Sequence, residues 1–510
     1  MSIATVTGHL GLLPAPCIFS DTDFSAGEGA DLMLPFLDLP AAPNGPPPDP
    51  SCVYCPDGAE LFTYQDDGVN FLLDHPVALL GDEMGLGKSI QAIAALRLLI
   101  HRGEVNRALI LCPKTVLFDW YYKLKQWAPD LRVVPVEGPK RRREWYWRCR
   151  VHVNLIGYET WREDLKWQLI DPGQFDLVIL DEIQRIKNPN TSTHQAVGRL
   201  EAKWRWGLSG TPLENSIEEL VSVFSYLKPN LLPPTAKAIA AKEVREAIRP
   251  YVLRRCKVDV LQHLPPKQNE VRWLELTPVQ KWAYEAVERA GVNTLRSAGT
   301  SAASMIALAL INKLKQICNL DSASGASCKM DFLEQELQHL TGQGEKVLIF
   351  SQYPEKTLKP LLPRLSPYRP ALFDGTLTDW NRQLLVHRFQ QLDDPAVLAI
   401  SLKCGGGTGI TLTRANHVYH FDSWWNSTAA QQAEDRTHRI GQKKPVFVTT
   451  LLTKGTIEER VHALVEQKRE LFHQVMDPLT DMEAAEEPAA LGKLLNRDDL
   501  MGLFGVKSGH

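Results

Sequence analysis

Val77-Ala-Leu-Leu-Gly-Asp-Glu-Met-Gly-Leu-Gly-Lys-Ser89 is the stretch on which the fold turns. Its four leading apolar residues read as a buried strand, the glycine-bearing residues after them as a loop, and the run from Ser89 as a helix. Gly85 and Gly87 let backbone N–H groups turn inward and approach phosphate oxygens closely, while the helix behind them adds its positive end. Lys88 then supplies a point charge to β and γ phosphates, and the Ser89 hydroxyl a ligand for magnesium. This is the chemistry of a P-loop, although Asp82 stands where the strict G-x-x-x-x-G-K-S pattern has its first glycine. Asp82, Glu83, Met84, Gly85, Leu86, Gly87, Lys88 and Ser89 are therefore the candidates for a nucleotide cradle. A glycine-rich turn with an incidental lysine would need neither the strand nor the helix.

Such a cradle requires an acidic pair at the end of a second strand, and Phe175-Asp-Leu-Val-Ile-Leu-Asp-Glu-Ile-Gln184 supplies one. Asp181 is placed to hold magnesium through its water shell, and Glu182 to orient or deprotonate the attacking water. The gap of 93 residues from Lys88 to Asp181 fits about three strand-helix units at roughly 30 residues each. Ala108-Leu-Ile-Leu-Cys112 and Val153-Asn-Leu-Ile156 read as further strands of the same sheet. A second series runs through Lys346-Val-Leu-Ile-Phe350, Ala396-Val-Leu-Ala-Ile400, His417-Val-Tyr-His-Phe421 and Val446-Phe-Val-Thr-Thr-Leu451. The pattern predicts an α/β chain of two lobes with parallel sheets, since buried apolar runs alternate with longer helical ones. Residues 236 to about 320 read as mostly helical. The expected divisions are an extension at 1–58, a first lobe at 59–258, a helical insertion and linker at 259–325, a second lobe at 326–475 and a tail at 476–510.

Length agrees, because 510 residues exceed one domain at about 150 residues each. With 44% apolar and 23% charged residues, a disordered, collagen-like or disulfide-scaffold chain is excluded. The longest nearly continuous apolar run covers only 302–311, far below the roughly 18 residues of a membrane span. No Lys or Arg precedes Lys88, so the basic start of a secretory signal is missing and an intracellular chain with no membrane segment is expected. The net charge of -3 conceals an asymmetry. Residues 1–87 hold 13 acidic and no basic residues, and 476–510 hold 7 acidic and 3 basic, which leaves 54 basic against 40 acidic at 88–475. A cationic body suits a polyphosphate partner, whereas acidic ends suit solubility or a docking segment. Seven prolines at 31–50 predict an extended linker. Nine scattered cysteines read as free thiols. Only Cys52 and Cys55 have metal-ligand spacing, and they lack the second pair of a tetrahedral zinc site.

Together these motifs resemble the Snf2 family of superfamily 2 DNA translocases. Leu61-Phe-Thr-Tyr-Gln-Asp-Asp-Gly-Val69 looks like the family's Q motif, which implies that Gln65 reads the adenine edge of ATP. Asp82-Glu-Met-Gly-Leu-Gly-Lys-Ser89 is similar to motif I, in which an Asp at the first position is normal. Ile110-Leu-Cys-Pro-Lys114 resembles motif Ia, Asp181-Glu-Ile-Gln184 motif II and Leu208-Ser-Gly-Thr-Pro212 motif III. Lys346-Val-Leu-Ile-Phe-Ser-Gln352 resembles motif IV and Gly405-Gly-Gly-Thr-Gly-Ile-Thr-Leu412 motif V. Gln432-Ala-Glu-Asp-Arg-Thr-His-Arg-Ile-Gly-Gln442 is close to motif VI, which implies an arginine-finger role for Arg436 and Arg439. Leu253-Arg-Arg255, Leu264-Pro-Pro-Lys267 and Asp422-Ser-Trp-Trp-Asn426 look like Snf2 hallmarks. Gln184 replaces a usual His, Ser89 a usual Thr and Thr411 a frequent Asn, and Ser427 stands where Pro often follows. The resemblance spans about Leu61 to Gln467 and implies two RecA-like lobes, Snf2-type helical insertions between them and a flexible acidic amino-terminal extension.

Lys88, Ser89, Asp181 and Glu182 belong to one lobe, and Arg436 and Arg439 lie over 240 residues later in the other. Closure must unite them, and an arginine arriving at a transferring phosphoryl group is worth roughly 10³ to 10⁵ in rate. The resemblance implies ATP and Mg2+ as cofactors and double-stranded DNA as partner, hence a DNA-stimulated ATPase that translocates on duplex and remodels protein-DNA complexes or junctions. Two other readings are a strand-separating or annealing helicase, and a nucleotide-switched adaptor that docks a protein partner such as RNA polymerase through residues 1–58. Lys140-Arg-Arg-Arg-Glu-Trp-Tyr-Trp-Arg148 mixes charge with aromatics but reads equally well as a solvated charged segment, and is not counted as a site.

Overall fold

A computed structural model describes positions 53, 55 and 56 and residues 60–210, 217–233, 241–261, 264–297, 303–402, 410–422, 433–464 and 502–505. Outside the described residues lie the 1–52 part of the extension, Cys52, Thr211 and Pro212 of the motif III-like stretch, 405–409 of the motif V-like stretch, 423–426, Gln432 and nearly all of the tail.

Seven parallel strands build the first sheet: β1 (Val77–Leu80), β2 (Ala108–Cys112), β3 (Val133–Pro135), β4 (Val153–Gly157), β5 (Leu177–Asp181), β6 (Trp204–Leu208) and β7 (Val252–Leu253). Their spatial order is β3-β4-β2-β5-β6-β1-β7. Successive side chains alternate between two faces, so both faces of a covered sheet must be apolar. Leu80, Ile110, Leu155, Ile179 and Leu208 join one core under the helices α1 (Thr63–Asp74), α2 (Lys88–His101) and α3 (Leu117–Trp127). Leu79, Leu111, Ile156, Val178 and Leu180 join the other with Trp161 and Phe224. Because the chain leaves β1 for β2 and only later fills β5 and β6 between them, the carboxyl ends of β1 and β5 flank a crevice at a topological switch point.

The second sheet has the order β10-β11-β9-β12-β13-β8, all parallel, with β8 (Lys267–Leu274), β9 (Val347–Ser351), β10 (Pro370–Phe373), β11 (Val397–Ser401), β12 (His417–His420) and β13 (Val446–Thr453). Here the helical reading of 259–325 needs correction. Lys267–Leu274 is an edge strand of the second lobe, registered from Lys267↔Val446 to Leu274↔Thr453. Its Gln268, Asn269 and Glu270 are exposed and carry no strand signal, so pairing with β13 decides the outcome over local preference. Beyond β8 the helical expectation holds. Pro278–Ser297 and Ala303–Asn319 pack together, and their core admits Ile457, Val461, Leu503 and Phe504. Residues 502–505 thus dock on this helical pair although the intervening chain lies outside the described residues.

The charged run at 140–148 is a helix whose Arg143 pairs with buried Asp164 (2.9 Å) and whose Tyr146 and Trp147 enter the core. Cys55 packs against the first core. Among the described residues no helix is long and apolar enough to cross a membrane.

Candidate nucleotide site

The loop after β1 turns on two left-handed glycines, Gly85 (φ +88°) and Gly87 (φ +80°), and Gly87 is the N-cap residue of α2. The φ favours glycine, and a Cβ at Gly87 would stand 2.4 Å from Gln65 Nε2 and displace that amide. From below, the Leu86 carbonyl accepts from the Tyr64 hydroxyl (3.1 Å), Gln65 Nε2 (3.1 Å) and Gln91 Nε2 (3.2 Å). Lys88 Nζ donates to the carbonyls of Asp82 (2.5 Å) and Glu83 (3.1 Å). Burial pushes its ammonium pKa down, against the pull of Asp82, Glu182 and Asp181.

Asp181 closes β5, and Glu182 follows in a left-handed conformation (φ +51°) that is uncommon for a residue with a side chain. The Trp120 indole N–H donates to Asp181 Oδ2 (2.7 Å), and the Tyr158 hydroxyl to its carbonyl (2.8 Å). Burial, then the neighbouring Glu182 charge, raises the Asp181 carboxyl above its ordinary range. Gln184 Nε2 donates to Glu182 Oε2, and its Oε1 accepts from Ser209 Oγ (3.1 Å). Gln184 therefore ties Glu182 to the strand end of β6.

Arg436 and Arg439 of the second lobe line the same cleft as Met84, Gly85, Gly87, Lys88, Ser89, Asp181, Glu182 and Gly210. The approach is close, since a Cβ at Gly85 would lie 2.9 Å from Arg439 Cβ. Burial lowers both guanidinium pKa values, and with Arg439 beside it Arg436 falls to about 10.

Nine of the thirteen residues picked out from the sequence thus share one cleft, and four do not line it. Asp82 is fully buried, and its carboxylate receives Arg255 Nε (2.9 Å), Arg255 Nη2 (2.5 Å) and Gln91 Nε2 (3.2 Å). An acid facing phosphate would repel it, and here the charge is neutralised behind the loop. Glu83 accepts from the Lys257 backbone N–H (2.7 Å) instead of facing the cleft. Leu86 is wholly buried. Gln65 is buried too, and its Oε1 accepts from the Phe62 backbone N–H (3.1 Å) while its Nε2 holds the loop. Its amide props the cradle, with both ends engaged by the chain itself.

Sequence reading passed over Asp119, Trp120, Lys123 and Asp435, which also line the cleft. Asp119 and Lys123 form an i,i+4 ion pair (2.6 Å) that reads as ordinary helix surface, and Trp120 as an ordinary core aromatic. Only the adjacency of β2 and β5 brings α3 over Asp181. The donor set fits a triphosphate with a divalent cation: the glycine loop, the Lys88 ammonium, the Ser89 hydroxyl and the Asp181 and Glu182 carboxylates converge where a Cβ on Gly210 would already crowd Lys88 Nζ (3.2 Å).

A family model described as the SNF2-related domain matches residues 64–323, and one described as the helicase conserved C-terminal domain matches 328–441. The chain is 31% identical over 475 residues to the uncharacterized ATP-dependent helicase MG018 of Mycoplasma genitalium, covering 87% of this chain and 44% of that protein. It is 31% identical over 459 residues to SWI/SNF-related matrix-associated actin-dependent regulator of chromatin subfamily A member 1 of Mus musculus, covering 81% of this chain and 43% of that one. The chain spans less than half the length of these curated relatives. The solved Sulfolobus solfataricus SWI2/SNF2 ATPase core in complex with dsDNA aligns with a TM-score of 0.41 and 27% identity, covering 90% of this chain and all of that one. With one family model spanning the cradle and the acidic pair, and the other reaching the arginines that meet them, the chain belongs to the SNF2-related family.

Proposed function

We propose that this chain is a DNA-stimulated ATPase that translocates on double-stranded DNA and remodels protein-DNA complexes or junctions. One observation carries the reading: phosphate-facing groups of the first lobe and two arginines of the second line a single cleft. The loop amides and Lys88 bind and orient the phosphates, which excludes water from all but the attacking position. Ser89 and Asp181 would hold magnesium, and that ion would supply charge neutralisation to the phosphates. Glu182, steadied by Gln184, accepts a proton from the attacking water. Arg436 and Arg439 stabilise charge developing on the equatorial oxygens, so turnover requires the two lobes to be closed. Closure on binding and release after hydrolysis give the alternation that a stepping motor needs. The cationic balance of residues 88–475 supports a phosphate-backbone track.

ATP turnover with and without duplex DNA, with Lys88→Ala as control, tests the reading. Duplex should raise wild-type turnover, and the variant should lose about 100-fold or more. Equal turnover in all three measurements would overturn it. Since relatives carry the description helicase, strand separation is the second reading, and robust unwinding of a blunt duplex would favour it.

A further inference from the structure

The chain leaves the first lobe beside the phosphate loop itself. Leu253 on β7 pairs with Leu80 on β1, and the pairing continues up the loop as Gly81 N–H donates to the Leu253 carbonyl (2.7 Å) and Glu83 N–H to the Arg255 carbonyl (2.9 Å). Two residues on, Lys257 reaches across to the second lobe. Its Nζ donates to Asp435 Oδ1 (2.5 Å) and to the His438 carbonyl (2.9 Å), and lies 3.7 Å from Glu83 Oε1. Both members of the Lys257–Asp435 pair are buried, at 5% and 6% side-chain exposure. The Cε of the same lysine would stand 3.3 Å from a Cβ on Gly85, where Arg439 also packs.

We infer that Lys257 is a positioning residue, a strut that fixes the arginine pair of the second lobe at its distance from the phosphate loop. Its charge is held between an acid of the loop and an acid next to Arg436, so the ammonium grips both lobes at once. A pair so buried tolerates neither loss of a partner nor much change in length, because an isolated charge would be left without water. Geometry alone makes the link directional. The backbone around 253–255 belongs to the loop's own sheet, while Asp435 and His438 flank Arg436 and Arg439. Lys257 is not among the residues that line the cleft, and it acts through the arginines.

The inference rests on the proposed ATPase reading for its rate, but its structural half can be measured without turnover. Lys257→Met keeps the unbranched stem to within one atom and removes the charge. In that variant kcat should fall about 10- to 100-fold, as a misplaced catalytic group costs. Affinity for a fluorescent ATP analogue should stay within about threefold of wild type, because the cradle is untouched. Amide exchange at 433–442 in the nucleotide-free protein should quicken, and Asp435→Leu with Lys257→Met should lower kcat no further than the single change. Lys257→Arg, which keeps the charge, should recover part of the rate and slow the exchange again. Wild-type kcat and wild-type exchange at 433–442 in a folded Lys257→Met variant would overturn the strut. Exchange needs no hydrolysis, so it decides this point even in a chain that turns nothing over.

Discussion

Asp82 shows how far a single residue's role depends on what lies behind it. In the sequence it occupies a loop that faces phosphate, and in the folded chain its carboxylate points away, held by both Arg255 and Gln91. Removing it with Asp82→Ala strands the Arg255 charge and should cost about 3 to 5 kcal/mol in urea unfolding. A loss below about 1 kcal/mol would mean that Arg255 finds water instead. Glu434 makes a second case, with a pH signature. Burial alone would raise its carboxyl, but the His420 hydrogen bond and the Lys267 ammonium outweigh burial and hold it at about 2, below the ordinary 4.5. A carboxyl depressed in the folded state adds stability that is complete above its unfolded value and is lost as pH falls towards the folded one. Glu434→Gln should therefore cost on the order of 3 kcal/mol at neutral pH, and the gap to wild type should narrow between about pH 5 and pH 2. A gap that stays constant over that range would remove the charge from the account.

Among the elements, β8 and the segment at 502–505 change the outline most. β8 carries Lys267 at its start, where the ammonium reaches Glu434 Oε2 (3.0 Å). Lys257 and Lys267, ten residues apart in the chain that joins the lobes, thus hold the adjacent acids Asp435 and Glu434 in front of Arg436. The short segment at 502–505 closes the helical pair instead. Leu503 and Phe504 are buried against it, and the Leu503 carbonyl accepts from Arg460 Nη1 (2.9 Å). Phe504→Ala should cost about 3 to 5 kcal/mol, and amide exchange should quicken first in the helices at 278–297 and 303–319. Unchanged exchange there would show that the aromatic is not part of their core.

In the whole molecule, Gly85 of the first lobe packs against Arg439 of the second. A side chain at that position meets two obstacles, a φ of +88° and a β-carbon 2.9 Å away. Gly85→Ala carries about 1 to 2 kcal/mol of backbone strain and must also push the second lobe back. Turnover should then fall by at least about tenfold, with unfolding stability reduced only by the strain. Wild-type turnover in the variant would indicate that the lobes work at a wider spacing.

Much of the chemistry was legible in order along the chain, because a strand, a glycine loop and a helix start are local events with local signals. Lys88, Ser89, Asp181 and Glu182 follow from such signals, and the apolar runs yield four strands of each sheet. What the sequence could not assign was which atoms of the loop face outward. Asp82 and Gln65 look like ligands in one dimension and are supports in three, since their partners, Arg255 for one and Leu86 for the other, are chosen by packing. Trp120 over Asp181, Lys257 beside Asp435 and β8 along β13 join positions 61, 178 and 179 residues apart. Contacts that distant leave no local pattern, so only the closed tertiary structure decides them.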